Sequence, residues 1–100
     1  MVQLLNLSEF EQTWKSHPGK ILDVRTPAEY QAGHLEGAQN IDWLGGRVQA
    51  ESDSMDKNET YYLYCASGNR SGMAANYLKQ QGFKNVYNIG GYVSIMHADL

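Results

Sequence analysis

One hundred residues, 42% of them apolar and 19% charged, suffice for one small hydrophobic core and exclude two, so a single domain over residues 1–100 is expected. A net charge of −3 with no lysine or arginine cluster excludes the electrostatic footprint of a nucleic-acid binder or of a protein drawn to anionic lipid. The lone cysteine excludes an internal disulfide and points to a reducing, cytoplasmic setting, and no apolar run approaches the roughly 20 residues that a membrane-spanning helix needs. Residues 1–5 lack the basic-then-apolar order of a signal peptide.

Gln3-Leu4-Leu5 reads as a weak first strand. A helix start follows at Leu7-Ser8-Glu9-Phe10-Glu11, where Ser8 and Glu11 stand at the capping-box spacing. Phe10 and Trp14 share one face of this helix, as core residues do, and His17-Pro18-Gly19 closes it. Lys20-Ile21-Leu22-Asp23-Val24 is a second strand, short and apolar like one buried on both faces. Thr26-Pro27-Ala28-Glu29 then forms a second capping box with proline at the first helical position, and Gly33 stops that helix within two turns. Asp23, Arg25 and Glu29 therefore gather at one strand end, either as an ion-pair and capping network or as bracing for a neighbouring loop.

Gly33-His34-Leu35-Glu36-Gly37-Ala38 leads into a third short strand, Ala38–Ile41. His34 has no ligand-like spacing to His17 or His97, so a structural hydrogen bond is expected of it, and neither a metal site nor a cofactor is expected in the chain. Trp43-Leu44 can begin a helix, which Gly45-Gly46 interrupts, and residues 47–59 read as a solvated loop. The central strand Tyr61-Tyr62-Leu63-Tyr64 delivers Cys65 into Ala66-Ser67-Gly68-Asn69, and Met73, Ala74, Tyr77 and Leu78 then recur at helical spacing up to Gly82. Asn85–Ile89 is a last strand, and the glycine pair at its end, Gly90-Gly91, either makes a tight turn or lets the backbone approach the cysteine loop closely. Residues 93–100 read as a terminal helix. Strands alternating with short helices give an α/β fold with a mainly parallel sheet, in which ligands bind beyond the carboxyl ends of the strands.

Cys65 sits between a strand end and a helix start, where backbone N–H groups are unpaired and the helix dipole is positive, so the thiolate is favoured. Arg70 adds a positive charge to this anion cradle. No histidine lies near Cys65 in sequence, so dipole, amides and Arg70 must carry any activation. The other reading is a small buried hydrophobe at a strand end, with Ser71 as a helix cap.

Asp23-Val24-Arg25, Glu29-Tyr30, Gly33–Ala38, Asn40-Ile41, Tyr64–Ser71 and Gly90-Gly91, in this order along nearly the whole chain, resemble the single-domain rhodanese family of sulfurtransferases. The resemblance implies a five-stranded, mainly parallel sheet flanked by helices. It also implies Cys65 as the residue that becomes a persulfide, Ala66, Ser67, Gly68, Asn69, Arg70 and Ser71 as the substrate-binding cradle, and Asp23 and Arg25 as a supporting pair. The chemistry it implies is a relay. The Cys65 thiolate takes the outer sulfur of a small anionic donor such as thiosulfate, and the persulfide passes it to an external thiol or to cyanide. With no second cysteine in the chain, the acceptor is expected from outside: glutathione, thioredoxin or a protein partner.

Four residues separate Cys65 from Arg70, one fewer than in cysteine phosphatases, and Tyr64 stands where those enzymes usually carry histidine. A ring this short suits a sulfur atom better than a phosphoryl group. Arsenate reduction and phosphatase activity on the same fold are the rival enzymes, and a non-catalytic binding module is the rival outside enzymology. Glu36 and Tyr92 depart from the family's usual proline and tryptophan, the first on a connection and the second at the expected pocket mouth.

Overall fold

The computed structural model describes residues 2–100, and its sheet is organised around β3 (Thr60–Cys65). Along the chain the elements are α1 (Leu7–Ser16), β1 (Lys20–Asp23), α2 (Pro27–Ala32), β2 (Gln39–Asn40), α3 (Arg47–Glu51), β3, α4 (Asn69–Gln80), β4 (Asn85–Gly91) and α5 (Tyr92–Ile95). The strands lie in the order β2-β1-β3-β4 and every pairing is parallel. The chain thus has the expected α/β fold, a parallel sheet flanked by helices, with four strands among the described residues in place of five. The first expected strand, Gln3–Leu5, is reduced to one parallel bridge between Leu4 and Asn88, held by backbone bonds from Leu5 to Asn88 and from Asn88 to Gln3.

Side chains of β3 alternate between two cores, as the period of a strand requires. Tyr61, Leu63 and Cys65 face α4, where Ala74, Ala75 and Leu78 are buried against them. Tyr62 and Tyr64 face the other side and pack with Phe10, Leu35, Ile89 and Ile95. A strand buried on both faces must satisfy its polar tips internally. The Tyr62 hydroxyl donates to the His17 carbonyl at 2.6 Å, and that of Tyr61 to the Asp56 carbonyl at 2.8 Å. Burial pushes the Tyr62 phenol up to about 12.

Local signals account for most element ends. Thr26 and Glu29 cap α2 reciprocally with Pro27 inside its first turn, as expected. The capping box of α1, however, is Asn6 with Glu9 and not Ser8 with Glu11. Asn6 precedes the first helical residue and offers the same kind of acceptor, so the helix starts two residues before the position a Ser8 cap implies. Phe10 is buried in the core, with its ring 6.2 Å from that of Trp14 and 5.2 Å from that of Tyr62. The stretch expected as a solvated loop holds α3 and a single 3-10 turn over Ser52–Ser54. Only Val48 of α3 is buried, so a nearly all-polar helix left no apolar period to read. The terminal helix is shorter than expected, at four residues. No helix among the described residues is long and apolar enough to cross a membrane.

Candidate functional site

Cys65 ends β3 with no exposed surface, beneath a loop whose Ala66, Ser67 and Asn69 are exposed. Gly68 turns that loop into α4 with φ at +96°, in the left-handed region that glycine enters without steric cost. As a glycine N-cap it supplies no side-chain cap, so the first amides of α4 are left for the loop to use. The Gly68 N–H points at Cys65 Sγ at 3.0 Å, and the Ser71 hydroxyl lies 3.4 Å from the same sulfur.

Burial pushes the Cys65 thiol up, but the hydrogen bonds of the loop outweigh it. The Ser71 hydroxyl and the amides of Ser71, Ser67 and Gly68 leave the thiol below its ordinary value. The groups that converge on the sulfur are thus the Ser71 hydroxyl and the amides of Ser71, Ser67 and Gly68.

The glycine pair at the end of β4 presses on this loop. Cys65 pairs with Gly91 after a shift in register, and the extra residue of β4 is absorbed where Gly90 takes φ +89°. A Cβ on Gly91 would lie 2.5 Å from the Ala66 carbonyl oxygen, and one on Gly68 would lie 3.3 Å from the Gly90 Cα. Of the two readings of Gly90-Gly91, close approach to the cysteine loop is the one observed.

Two ion pairs flank the loop, and they divide the cluster expected at Asp23, Arg25 and Glu29. Asp23 is fully buried at the end of β1 and receives Arg25 through its backbone N–H, Nε and a guanidinium nitrogen 2.6 Å away. The Tyr64 hydroxyl donates to the same carboxylate at 2.8 Å and accepts the Leu35 amide at 3.0 Å. The Arg25 guanidinium also donates to the Gly33 carbonyl and lies 4.6 Å above the Tyr92 ring. Burial pushes the Tyr64 phenol up, while the bond to Asp23 raises the Arg25 pKa.

Glu29 turns away from that pair to Arg70, which it grips with both carboxylate oxygens at 2.8 and 2.9 Å. The Arg70 guanidinium holds the Glu29 carboxyl down at about 2, and Glu29 in turn raises Arg70. The sequence places Arg70 as a positive charge beside the sulfur. That charge is paired bidentately with Glu29 while still acting on Cys65.

One residue that sequence reasoning passed over is Asn88, buried on β4. Its side chain joins Ser71, Gly68 and Gly90 and so ties the last strand to the loop. An asparagine in a strand otherwise rich in apolar residues is its only sequence signal. His34 makes the expected structural bond, with Nδ1 2.9 Å from the Tyr30 carbonyl and its ring stacked on Tyr30. No three His, Cys, Asp or Glu side chains among the described residues are grouped as a metal ion would need. Beside the loop, a groove of about 510 Å³ runs past Leu4, Leu5, Ser67, Gly90, Gly91 and Ile95.

Residues 6–98 match the family described as the Rhodanese-like domain. YrkF of Bacillus subtilis, named a candidate sulfur carrier protein, is 38% identical over 86 residues, which are 85% of this chain and 45% of YrkF. The chain thus spans under half the length of that relative. The thiosulfate sulfurtransferase PspE of Escherichia coli is 38% identical over 74 residues, covering 74% of this chain and 71% of PspE. Among solved structures, a rhodanese-like domain protein of Staphylococcus aureus superimposes with a TM-score of 0.78 at 29% identity, covering 100% of this chain and 98% of that one.

Proposed function

This chain belongs to the rhodanese-like domain family, and on that premise we propose that it moves sulfane sulfur through a persulfide on Cys65. The observation that carries the reading is the convergence of the Gly68 amide and the Ser71 hydroxyl on a sulfur whose thiol lies below its ordinary value. In the first step the Cys65 thiolate attacks the outer sulfur of a donor such as thiosulfate. A new S–S bond forms, the donor's S–S bond breaks, and sulfite leaves with the bonding electrons. In the second step an external thiolate, from glutathione, thioredoxin or a partner protein, attacks the outer sulfur of the persulfide and Cys65 leaves as thiolate. Each displacement moves negative charge between sulfurs inside the amide ring, and fixed amides need no reorganisation to meet it.

Ala66, Ser67, Gly68, Asn69, Arg70 and Ser71 form the substrate-binding ring in this reading, while Asp23 and Arg25 set the floor from which Cys65 emerges. Because Cys65 is covered, the transferred group must be small and the loop must give as it arrives. The lone cysteine needs a reducing, cytoplasm-like compartment to stay free between cycles.

A second reading is a stoichiometric sulfur carrier, favoured by the name of YrkF. The two part on turnover. With thiosulfate and cyanide present, the enzyme reading expects many thiocyanates released per protein and none from Cys65→Ser. A single sulfur per protein that leaves only to a protein partner would support the carrier reading. Equal turnover by Cys65→Ser would refute both.

A further inference from the structure

Asn88 presents its amide to three hydrogen-bond partners, and the roles of two of them leave it no choice of orientation. The Gly90 N–H can only donate, and it meets Oδ1 at 3.0 Å. The Gly68 carbonyl can only accept, and it meets Nδ2 at 3.1 Å. Both fix the same face of the amide, so Oδ1 is turned to the Ser71 hydroxyl 2.8 Å away and must accept from it. Gly72 of α4 leaves space for this amide, since a Cβ there would lie 3.3 Å from Nδ2.

Ser71 has one hydroxyl proton and two atoms that call for it, Asn88 Oδ1 at 2.8 Å and Cys65 Sγ at 3.4 Å. We propose that Asn88 is a positioning residue for Cys65, which holds the Ser71 proton away from the sulfur while Cys65 is a thiol or a persulfide and yields it only to the thiolate. As a thiol, Cys65 donates S–H to Ser71 Oγ, which donates on to Asn88, and the chain is complete. When the S–H proton leaves to solvent, Sγ keeps the electron pair and the Ser71 hydroxyl rotates from Asn88 to the sulfur. Two neutral hydrogen bonds, S–H to Oγ and Oγ–H to Oδ1, are lost and one charge-assisted bond to the thiolate is gained. Asn88 keeps the Gly90 amide throughout. Once sulfur is loaded, the inner sulfur is neutral and a poor acceptor, so the hydroxyl returns to Asn88. No other buried side chain bonds to Ser71 among the described residues, and the charged groups around the loop, Asp23 with Arg25 and Glu29 with Arg70, are already paired. The single hydroxyl proton is therefore the adjustable part of the site.

The proposal rests on Cys65 being the sulfur-carrying nucleophile, yet its test reads the thiol without any sulfur donor. The rate of alkylation by iodoacetamide is followed against pH for the full chain, for Asn88→Leu, and for both in a Ser71→Ala background. With Ser71 present, Asn88→Leu frees the hydroxyl for the thiolate and lowers the apparent thiol pKa by up to about one unit, a tenfold change in thiolate. With Ser71→Ala the same substitution leaves the pKa unchanged, and Ser71→Thr restores the dependence. An unchanged or raised pKa in folded Asn88→Leu, or an equal shift in both backgrounds, overturns the proposal. Should Asn88→Leu fail to fold, Asn88→Asp replaces it: the added charge raises the thiol pKa in both backgrounds, and by visibly more when Ser71 is present. An equal rise in the two backgrounds overturns the proposal there. If these shifts appear but no sulfur can be loaded, the sulfur-transfer reading fails while the role of Asn88 stands.

Discussion

Two arginine–carboxylate pairs flank Cys65 and are built differently. Asp23–Arg25 is sealed: the two side chains are 0% and 7% exposed, and Tyr64, Gly33 and the Tyr92 ring surround them. Glu29–Arg70 is open at the rim, with side chains 34% and 18% exposed and one carboxylate oxygen shared with the cap of α2. The sealed pair joins neighbours two residues apart on one strand end, so its value is to fix the floor of the site. The open pair joins α2 to the start of α4 across 41 residues, so it ties the helix that follows the cysteine loop to the rim beside it. In the sulfur-transfer reading proposed above, one pair bears on the fold and the other on the chemistry.

Breaking the sealed pair has the larger effect. Asp23→Ala leaves Arg25 buried without its partner, a change that costs about 3–5 kcal/mol. Urea denaturation should show a loss of that size, and a loss under about 1 kcal/mol would mean that Arg25 escapes to solvent and the pair is not structural. Glu29→Gln should cost far less stability, roughly 0–1 kcal/mol, because an exposed pair is screened by water. Its effect falls on the reaction: Arg70 is released, the Cys65 thiolate is favoured further, and kcat/KM for thiosulfate rises with a dependence on salt. A fall in kcat/KM would show that Glu29 is needed to hold Arg70 in place.

The smallest effect is on pH dependence. Glu29 titrates at about 2 in the folded chain against an ordinary 4.5, so its contribution is complete above the ordinary value and is lost as pH falls between the two. Comparing urea midpoints at about pH 6 and about pH 3, the wild type should lose more stability than Glu29→Gln. Equal losses would place the acid sensitivity in other carboxylates.

Local features of this design can be read from the sequence. Thr26-Pro27-Ala28-Glu29 announces α2, and the aromatic run into Cys65 followed by Gly68 announces a strand, a loop and a helix, because each signal and its structural answer lie within one turn of the chain. What escapes is side-chain choice across distance. Glu29 was grouped with Asp23 and Arg25 by proximity in sequence, but its partner is Arg70. The Tyr64 hydroxyl on Asp23 and the Asn88 amide under the loop depend on strand order and register, which no spacing encodes. The helix α3 escaped for the opposite reason, since one buried valine gives no period.

The role proposed for Cys65, carrying sulfur inside an amide ring, is tested most directly by intact mass after incubation with a panel of sulfur donors. The predicted result is a gain of one sulfur atom, lost on adding thiol or cyanide and absent from Cys65→Ser. A protein whose mass does not change under saturating thiosulfate, polysulfide and persulfide donors, while Cys65 still alkylates, would contradict it.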